Sequence, residues 1–184
     1  MIILDLCYNE NAMIHLILFD IDGTLLLTGG AGKVAFNRAF QELFGVLDGW
    51  GETIPDGKTD PLIFQEIFRR VLKRNGKPRE FDSLGTLYVK YFRKEIQHSP
   101  KFRLMPGVKM LLQRLALEKA PLLGIATGNL EETAWLKLAR GRLDSFFSFG
   151  GFGSDSPDRA ELTRAAIRRA RKLPKRKSRP PRSS

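Results

Sequence analysis

Apolar and polar positions along the chain alternate between short buried runs and amphipathic stretches. Ile14-His15-Leu16-Ile17-Leu18-Phe19 is apolar, rich in β-favouring residues and too short for a core helix, which predicts a buried strand. Phe36, Phe40, Leu43 and Phe44 share one helical face, and Gly45 follows as a stop. Asp60-Pro61 predicts a second helix, with Asp60 as its N-cap and Pro61 at its first position. Phe64, Ile67, Phe68, Val71 and Leu72 form its stripe, and Asn75-Gly76-Lys77-Pro78 ends it. A third helix carries Leu84, Leu87, Tyr88, Tyr91 and Ile96. Three amphipathic helices in a row can bury their stripes against one another as a small bundle. Beyond them, Val108, Leu111, Leu112 and Leu115 predict a helix with all four inward, and Pro121 to Ala126 a second buried strand. Leu143 and Phe146-Phe147-Ser148-Phe149 predict a third strand. Leu162, Ala166, Ile167 and Ala170 face inward on a last helix, capped by Ser156-Pro157-Asp158. The class is α/β: a Rossmann-like parallel sheet with an inserted helical bundle.

The chemistry-bearing residues sit where strands end. Asp20 and Asp22 follow the first strand, at the end that faces the ligand crevice of an open α/β sheet. Two carboxylates there repel each other unless a cation or a proton joins them. One can act as a nucleophile while a cation neutralises an incoming phosphate, and the other can carry the proton. The second strand ends in Thr127-Gly128-Asn129, a hydroxyl and free N–H groups ahead of a helix, which suits a phosphate; Asn129 is placed to cap that helix. Glu131 and Glu132 complement its dipole. Arg159 lies in the first turn of the last helix, where a cation opposes the helix dipole unless an anion is near. Lys58 precedes the second helix, whose N-terminus favours an anion. Thr28-Gly29-Gly30-Ala31-Gly32-Lys33-Val34 breaks the spacing of a phosphate-binding P-loop and reads as a hinge into the helical insert.

Asp20-Ile21-Asp22-Gly23-Thr24 resembles the first motif of the haloacid dehalogenase superfamily, most of whose members are Mg-dependent phosphatases. The resemblance implies Asp20 as nucleophile, passing through an aspartyl-phosphate, and Asp22 as general acid and base. True dehalogenases of the superfamily usually lack the second Asp, so Asp22 argues for phosphoryl transfer. Thr127 and Gly128 match the second motif, implying a phosphate-binding hydroxyl and amide. The segment Gly151-Phe152-Gly153-Ser154-Asp155-Ser156-Pro157-Asp158-Arg159 resembles a phosphoglycolate-phosphatase-like branch in which Arg holds nucleophile and phosphate. The helical insert corresponds to the family's cap, and Gly57-Lys58-Thr59-Asp60 to its substrate-facing loop. The implied cofactor is Mg²⁺, held by Asp20 and, through its backbone carbonyl, Asp22, and the implied substrate is a small phosphorylated metabolite. The organisation expected is an N-terminal extension (1–12), unstructured ahead of an alternative start at Met13, a first core segment (13–27), a helical cap (28–100), a second core segment (101–171) and a basic disordered tail (172–184).

Charge and composition refine this picture. The net charge is +11, but ten of the positive charges follow Glu161, after which there is no acid. The basic character therefore belongs to the tail, and the body gives no footprint for nucleic acid. Cys7 is the only cysteine, which fits a reducing, cytoplasmic setting. The N-terminus lacks the basic region of a signal peptide, and no run is long enough for a membrane span. The family's C-terminal acidic motif and its strand have no counterpart, so the core is incomplete at the C-terminus. Without that strand the edge of Ile14 to Phe19 is expected to be exposed. Three readings follow: a non-catalytic truncated or frameshifted product, a chain completed by a partner, or an anionic-polymer binder acting through the tail. Asp155 is the one candidate to replace the missing metal ligands.

Overall fold

The alternation of apolar side chains along one central strand sets the layers. In the computed structural model, which describes residues 2–9, 12–117 and 122–173, with side chains from residue 16 onward, that strand is β2, Ala12–Phe19. Ile17 and Phe19 face one side of the sheet, packed with Val108, Leu112, Ala134 and Leu138. Leu16 and Leu18 face the other, packed with Leu162, Ala166 and Ala170. A strand covered on both faces has no polar face, which is why its sequence is nearly continuously apolar.

The remaining elements are β1 (Ile2–Asn9), β3 (Leu26–Leu27), α1 (Ala31–Phe44), α2 (Asp60–Val71), α3 (Pro78–His98), β4 (Arg103–Leu104), α4 (Val108–Leu117), β5 (Leu122–Ala126), α5 (Glu131–Arg140), a 3₁₀ turn (Asp144–Phe146), β6 (Gly150–Gly151) and α6 (Arg159–Lys172). The main sheet has the order β1-β2-β5-β6. β2 pairs parallel with β5 through Leu16–Leu122 to Phe19–Ile125, and β5 pairs parallel with β6. The α/β parallel core expected from the sequence is present.

α1, α2 and α3 form the cap. Phe36 and Phe40 of α1, Phe64 and Phe68 of α2, and Tyr88 and Phe92 of α3 meet in one aromatic cluster with neighbouring ring centroids 5.4–6.4 Å apart. Each buried ring contributes roughly 1.5–3 kcal/mol by removal from water. α1 ends where expected, at Gly45, whose φ of 72° and N–H bond to Gln41 O make a left-handed cap. The chain enters and leaves the cap through adjacent strands: β3 pairs antiparallel with β4, Leu26 opposite Leu104. Ser99 Oγ ties this neck by donating to Thr28 O at 2.7 Å.

Five expectations are corrected. Residues 2–9 are not an unstructured extension: β1 pairs antiparallel with β2, from Ile2–Leu18 to Asn9–Ala12. The edge of β2, expected to be exposed or covered by a partner chain, is thus covered by the chain's own N-terminus; an apolar run beside an unpaired edge satisfies that edge's N–H and C=O groups. The third strand is Gly150–Gly151, not the Phe run; Phe147 and Phe149 are buried as loop residues, and Phe149 contributes its carbonyl to Ile125 N. The α2 N-cap is Thr59, because the Asp60 side chain is used elsewhere. Leu111 is exposed, since α4 buries only the Val108 and Leu112 side of its turn. Residues 174–184 of the expected tail lie outside the described residues, and α6 takes in Lys172.

Candidate active site

The C-terminal ends of β2 and β5 and the N-terminal ends of α5 and α6 open into one cavity of about 790 Å³ beneath the cap. Asp20, Asp22, Lys58, Thr127, Gly128 and Arg159 all line it. All six residues singled out in the sequence are therefore brought together, although they come from four separated stretches of chain.

Asp20 ends β2. Its Oδ1 accepts from Ile21 N at 2.8 Å, and its Oδ2 accepts from Arg159 Nη2 at 3.1 Å. Arg159 starts α6, so its charge lies against a carboxylate 139 residues away in sequence, the nearby anion that its position demands. Asp22 lies two residues further along, on the tight turn in which Gly23 N donates to Leu26 O. Its side chain is 46% accessible to the cavity, yet protein groups hold both its oxygens. Lys137 Nζ donates to Oδ1 at 2.9 Å and to Oδ2 at 2.7 Å, and Asn129 Nδ2 donates to Oδ2 at 2.8 Å. Burial pushes the Asp22 carboxyl up, but the Lys137 charge and the bonds from Lys137 and Asn129 outweigh it and hold it below the usual carboxylate value.

Thr127 is buried at the end of β5. Its Oγ1 accepts from Asn129 Nδ2 at 2.7 Å, which leaves its own hydrogen to be donated into the cavity. Gly128 is the seat of the cap: a Cβ there would come within 2.5 Å of Lys58 O and 2.9 Å of Thr59 Cα. Its carbonyl accepts from Asp60 N at 2.8 Å. Asp60 Oδ2 accepts from Leu130 N at 2.8 Å, so this cap residue caps a core helix, α5, rather than its own. Burial raises the Asp60 carboxyl to about 6, against the opposing pull of Lys137 and the Leu130 N–H. Thr59 Oγ1 adds a bond to Pro157 O at 3.2 Å. Lys58 reaches the cavity wall, but its ammonium is paired with Glu66 of α2.

Two residues of the site differ from, or are absent in, the sequence reading. Asn129 is not the N-cap of α5; that position is Leu130. Asn129 bridges Thr127, Asp22 and Lys137 instead. Lys137 belongs to none of the sequence motifs. Its signal is nevertheless present: Thr133, Ala134, Lys137 and Leu138 form the buried stripe of α5, and a Lys on such a stripe requires a partner.

Asp20 and Asp22 were also expected to hold Mg²⁺. Mg²⁺ takes six oxygens in a near-ideal octahedron. Among the described residues no three His, Cys, Asp or Glu side chains come together to hold a metal. Asp155 cannot join them: both its oxygens bond Arg169, at 2.6 and 2.7 Å, Phe152 N adds a third bond, and it lies outside the cavity lining. The described residues do not fit a Mg²⁺ site: Lys137 and Asn129 hold both carboxylate oxygens of Asp22, which leaves only the Asp20 carboxylate, itself paired with Arg159, and the Asp22 backbone carbonyl.

The comparisons with known proteins agree with this architecture. A family model described as haloacid dehalogenase-like hydrolase matches residues 17–171. Among curated proteins none matches. Among solved structures, a hydrolase from Pseudomonas syringae is 23% identical with a TM-score of 0.62, over 83% of this chain and 68% of that one. CbbY from Rhodobacter sphaeroides in complex with phosphate is 22% identical with a TM-score of 0.61, over 86% and 73%. A predicted phosphoglycolate phosphatase from Haemophilus somnus 129PT is 20% identical with a TM-score of 0.55, over 78% of this chain, which spans 64% of that protein's length. With a strand-end carboxylate pair, an inserted helical cap and a family match over most of its length, this chain belongs to the haloacid dehalogenase-like hydrolases.

Proposed function

We propose that the chain is a phosphatase acting on small phosphomonoesters in the cytoplasm. The observation that supports this best is the convergence of Asp20, Asp22, Thr127, the Gly128 amide and Arg159 on one cap-covered cavity. Asp20 attacks phosphorus, the bond from phosphorus to the leaving oxygen breaks, and that oxygen takes a proton which the incoming phosphomonoester, bound as its monoanion, has passed to the Asp22 carboxylate. Water then attacks the aspartyl-phosphate, gives its proton to Asp22, and frees phosphate and Asp20. The Thr127 hydroxyl, the Gly128 N–H and the Arg159 guanidinium bind the phosphoryl oxygens. Lys58, on the cap wall, meets the rest of the substrate once it leaves Glu66.

The charged state of Asp22 is the one required to accept a proton from water in the second step. Mg²⁺ is the cation usual to the family, but the donor set of the described residues does not fit it. The test is hydrolysis of an aryl phosphate by the 184-residue chain beside Asp20→Asn, each assayed in EDTA and in Mg²⁺. The expected result is turnover by the wild type and loss of at least about 100-fold in the variant. Equal turnover by both would remove Asp20 from the mechanism.

A further inference from the structure

The two aspartates carry two negative charges into one small space, and something positive has to offset them. Each already has its own protein cation. Arg159 pairs with Asp20, and Lys137 pairs with both oxygens of Asp22. Lys137 is the unusual member. Its side chain is only 6% accessible, and burying an ammonium costs several kcal/mol unless it is fully partnered. Here its three N–H donors meet Asp22 Oδ1, Asp22 Oδ2 and Asn129 Oδ1, the last at 2.6 Å. The Phe92 ring of the cap lies 5.7 Å from Nζ. Packing alone does not require this residue, since an apolar side chain of similar length would fill the same stripe of α5 beside Ala134 and Leu138.

A divalent cation shared by Asp20 and Asp22 would therefore enter a site whose charges are already matched. On the Asp22 carboxylate it would have to displace an ammonium bonded at 2.7 Å, and on the Asp20 carboxylate with the Asp22 backbone carbonyl it would be repelled by the Lys137 and Arg159 charges. Among the described residues the other acids add no cluster to the pair: Asp56 lines the cavity but groups with no two others as a metal site, Asp60 is buried and engaged with Leu130 N, and Asp155 is fastened to Arg169.

We propose that Lys137, acting with Arg159, takes the charge-neutralising place of the divalent cation, and that this 184-residue chain binds a phosphate anion without Mg²⁺. The proposal rests on reading the cavity as a phosphoryl site. Lys137 is a positioning residue in it: it holds the Asp22 carboxylate and balances its charge, while Thr127, Gly128 and Arg159 meet the anion.

The experiment is a calorimetric titration of inorganic phosphate into the 184-residue chain, first in EDTA and then in excess Mg²⁺. Affinities agreeing within about twofold are expected. Binding that requires Mg²⁺, or tightens about tenfold or more in it, would overturn the proposal while leaving the phosphoryl site intact. No binding in either condition would remove both. Lys137→Met should weaken binding in EDTA about tenfold or more and make it respond to Mg²⁺, because Asp22 is then without its cation. Binding by a folded Lys137→Met chain equal to wild type would overturn the role of Lys137. A measurement without substitution stands beside these: the electron paramagnetic resonance signal of free Mn²⁺ should be undiminished by an equimolar amount of the chain. Loss of that signal at equimolar protein would show a metal site and contradict the proposal.

Discussion

At the level of single residues, the aspartate pair and the Thr-Gly step were legible because each sits at the junction of an apolar run and a turn, where sequence offsets map directly onto position. The polar network that supports them was not. Asn129, Lys137 and Asp60 acquire their partners from stretches 70 to 115 residues away, and nothing local encodes such pairings. Two predictions belong at this scale. Asp22 relays a proton to the leaving oxygen, a transfer that matters most when the leaving group is a poor one. Asp22→Asn should slow hydrolysis of an alkyl phosphate by about 100-fold and that of a nitrophenyl phosphate far less, as steady-state rates on the two substrates would reveal. Equal losses on both would contradict the assignment. Asp60 is raised from 3.8 to about 6, so the folded chain holds that proton more tightly than the unfolded one. The corresponding stability is full below pH 3.8 and is lost as pH rises through about 6. Asp60→Asn, which keeps an acceptor for Leu130 N, should therefore stabilise the protein at about pH 7, by on the order of 2 kcal/mol, and have little effect near about pH 4. Denaturant unfolding at the two pH values checks this, and a larger gain at the acidic one would contradict it.

At the level of elements, the cap helices were the most legible part. Their aromatic residues recur at helical spacing, and Gly45 marks the observed end of α1, whereas α2 ends at Val71, ahead of the Asn75–Pro78 stretch expected to stop it, and Pro78 opens α3. Phe92, at the centre of α3, belongs to the same stripe. The strands were harder. Phe146 to Phe149 has the composition of a strand, yet the ladder begins only at its end, where Gly150 and Gly151 allow α6 to approach: a Cβ on Gly151 would lie 1.8 Å from Leu162 O. The first residues read as an extension because β2 looks complete as a buried strand by itself, and nothing local in its sequence reveals a pairing partner. The antiparallel pairing of β1 with β2 carries its own prediction. A chain beginning at Met13 should expose the β2 edge and associate or precipitate as concentration rises, in light-scattering measurements that leave the full chain unchanged. A monodisperse shortened chain of unaltered stability would show that β1 does not protect that edge.

At the scale of the whole molecule, the site exists only when three units are in register. The sheet supplies Asp20, Asp22 and Thr127, α6 supplies Arg159, and the cap closes the cavity through Thr59 and Asp60 against Gly128, Leu130 and Pro157. The antiparallel β3–β4 neck holds the two cap connections side by side, and the cap also meets the core along α5, where Arg140 Nε donates to Ile96 O at 3.2 Å and Leu130 and Leu136 pack on the cap cluster. The α/β class and the inserted cap followed from periodicity. The closure of the cap onto the Gly128 loop did not, because it depends on backbone approach rather than on side-chain pattern.

The most direct measurement of the central claim is to mix the chain with an aryl phosphate, quench in acid during turnover, and map phosphoryl groups by peptide mass spectrometry. The account predicts one phosphoryl group on the peptide that contains Asp20, absent in Asp20→Asn. Turnover with no phosphoryl-peptide, or with the group on any other residue, would contradict it.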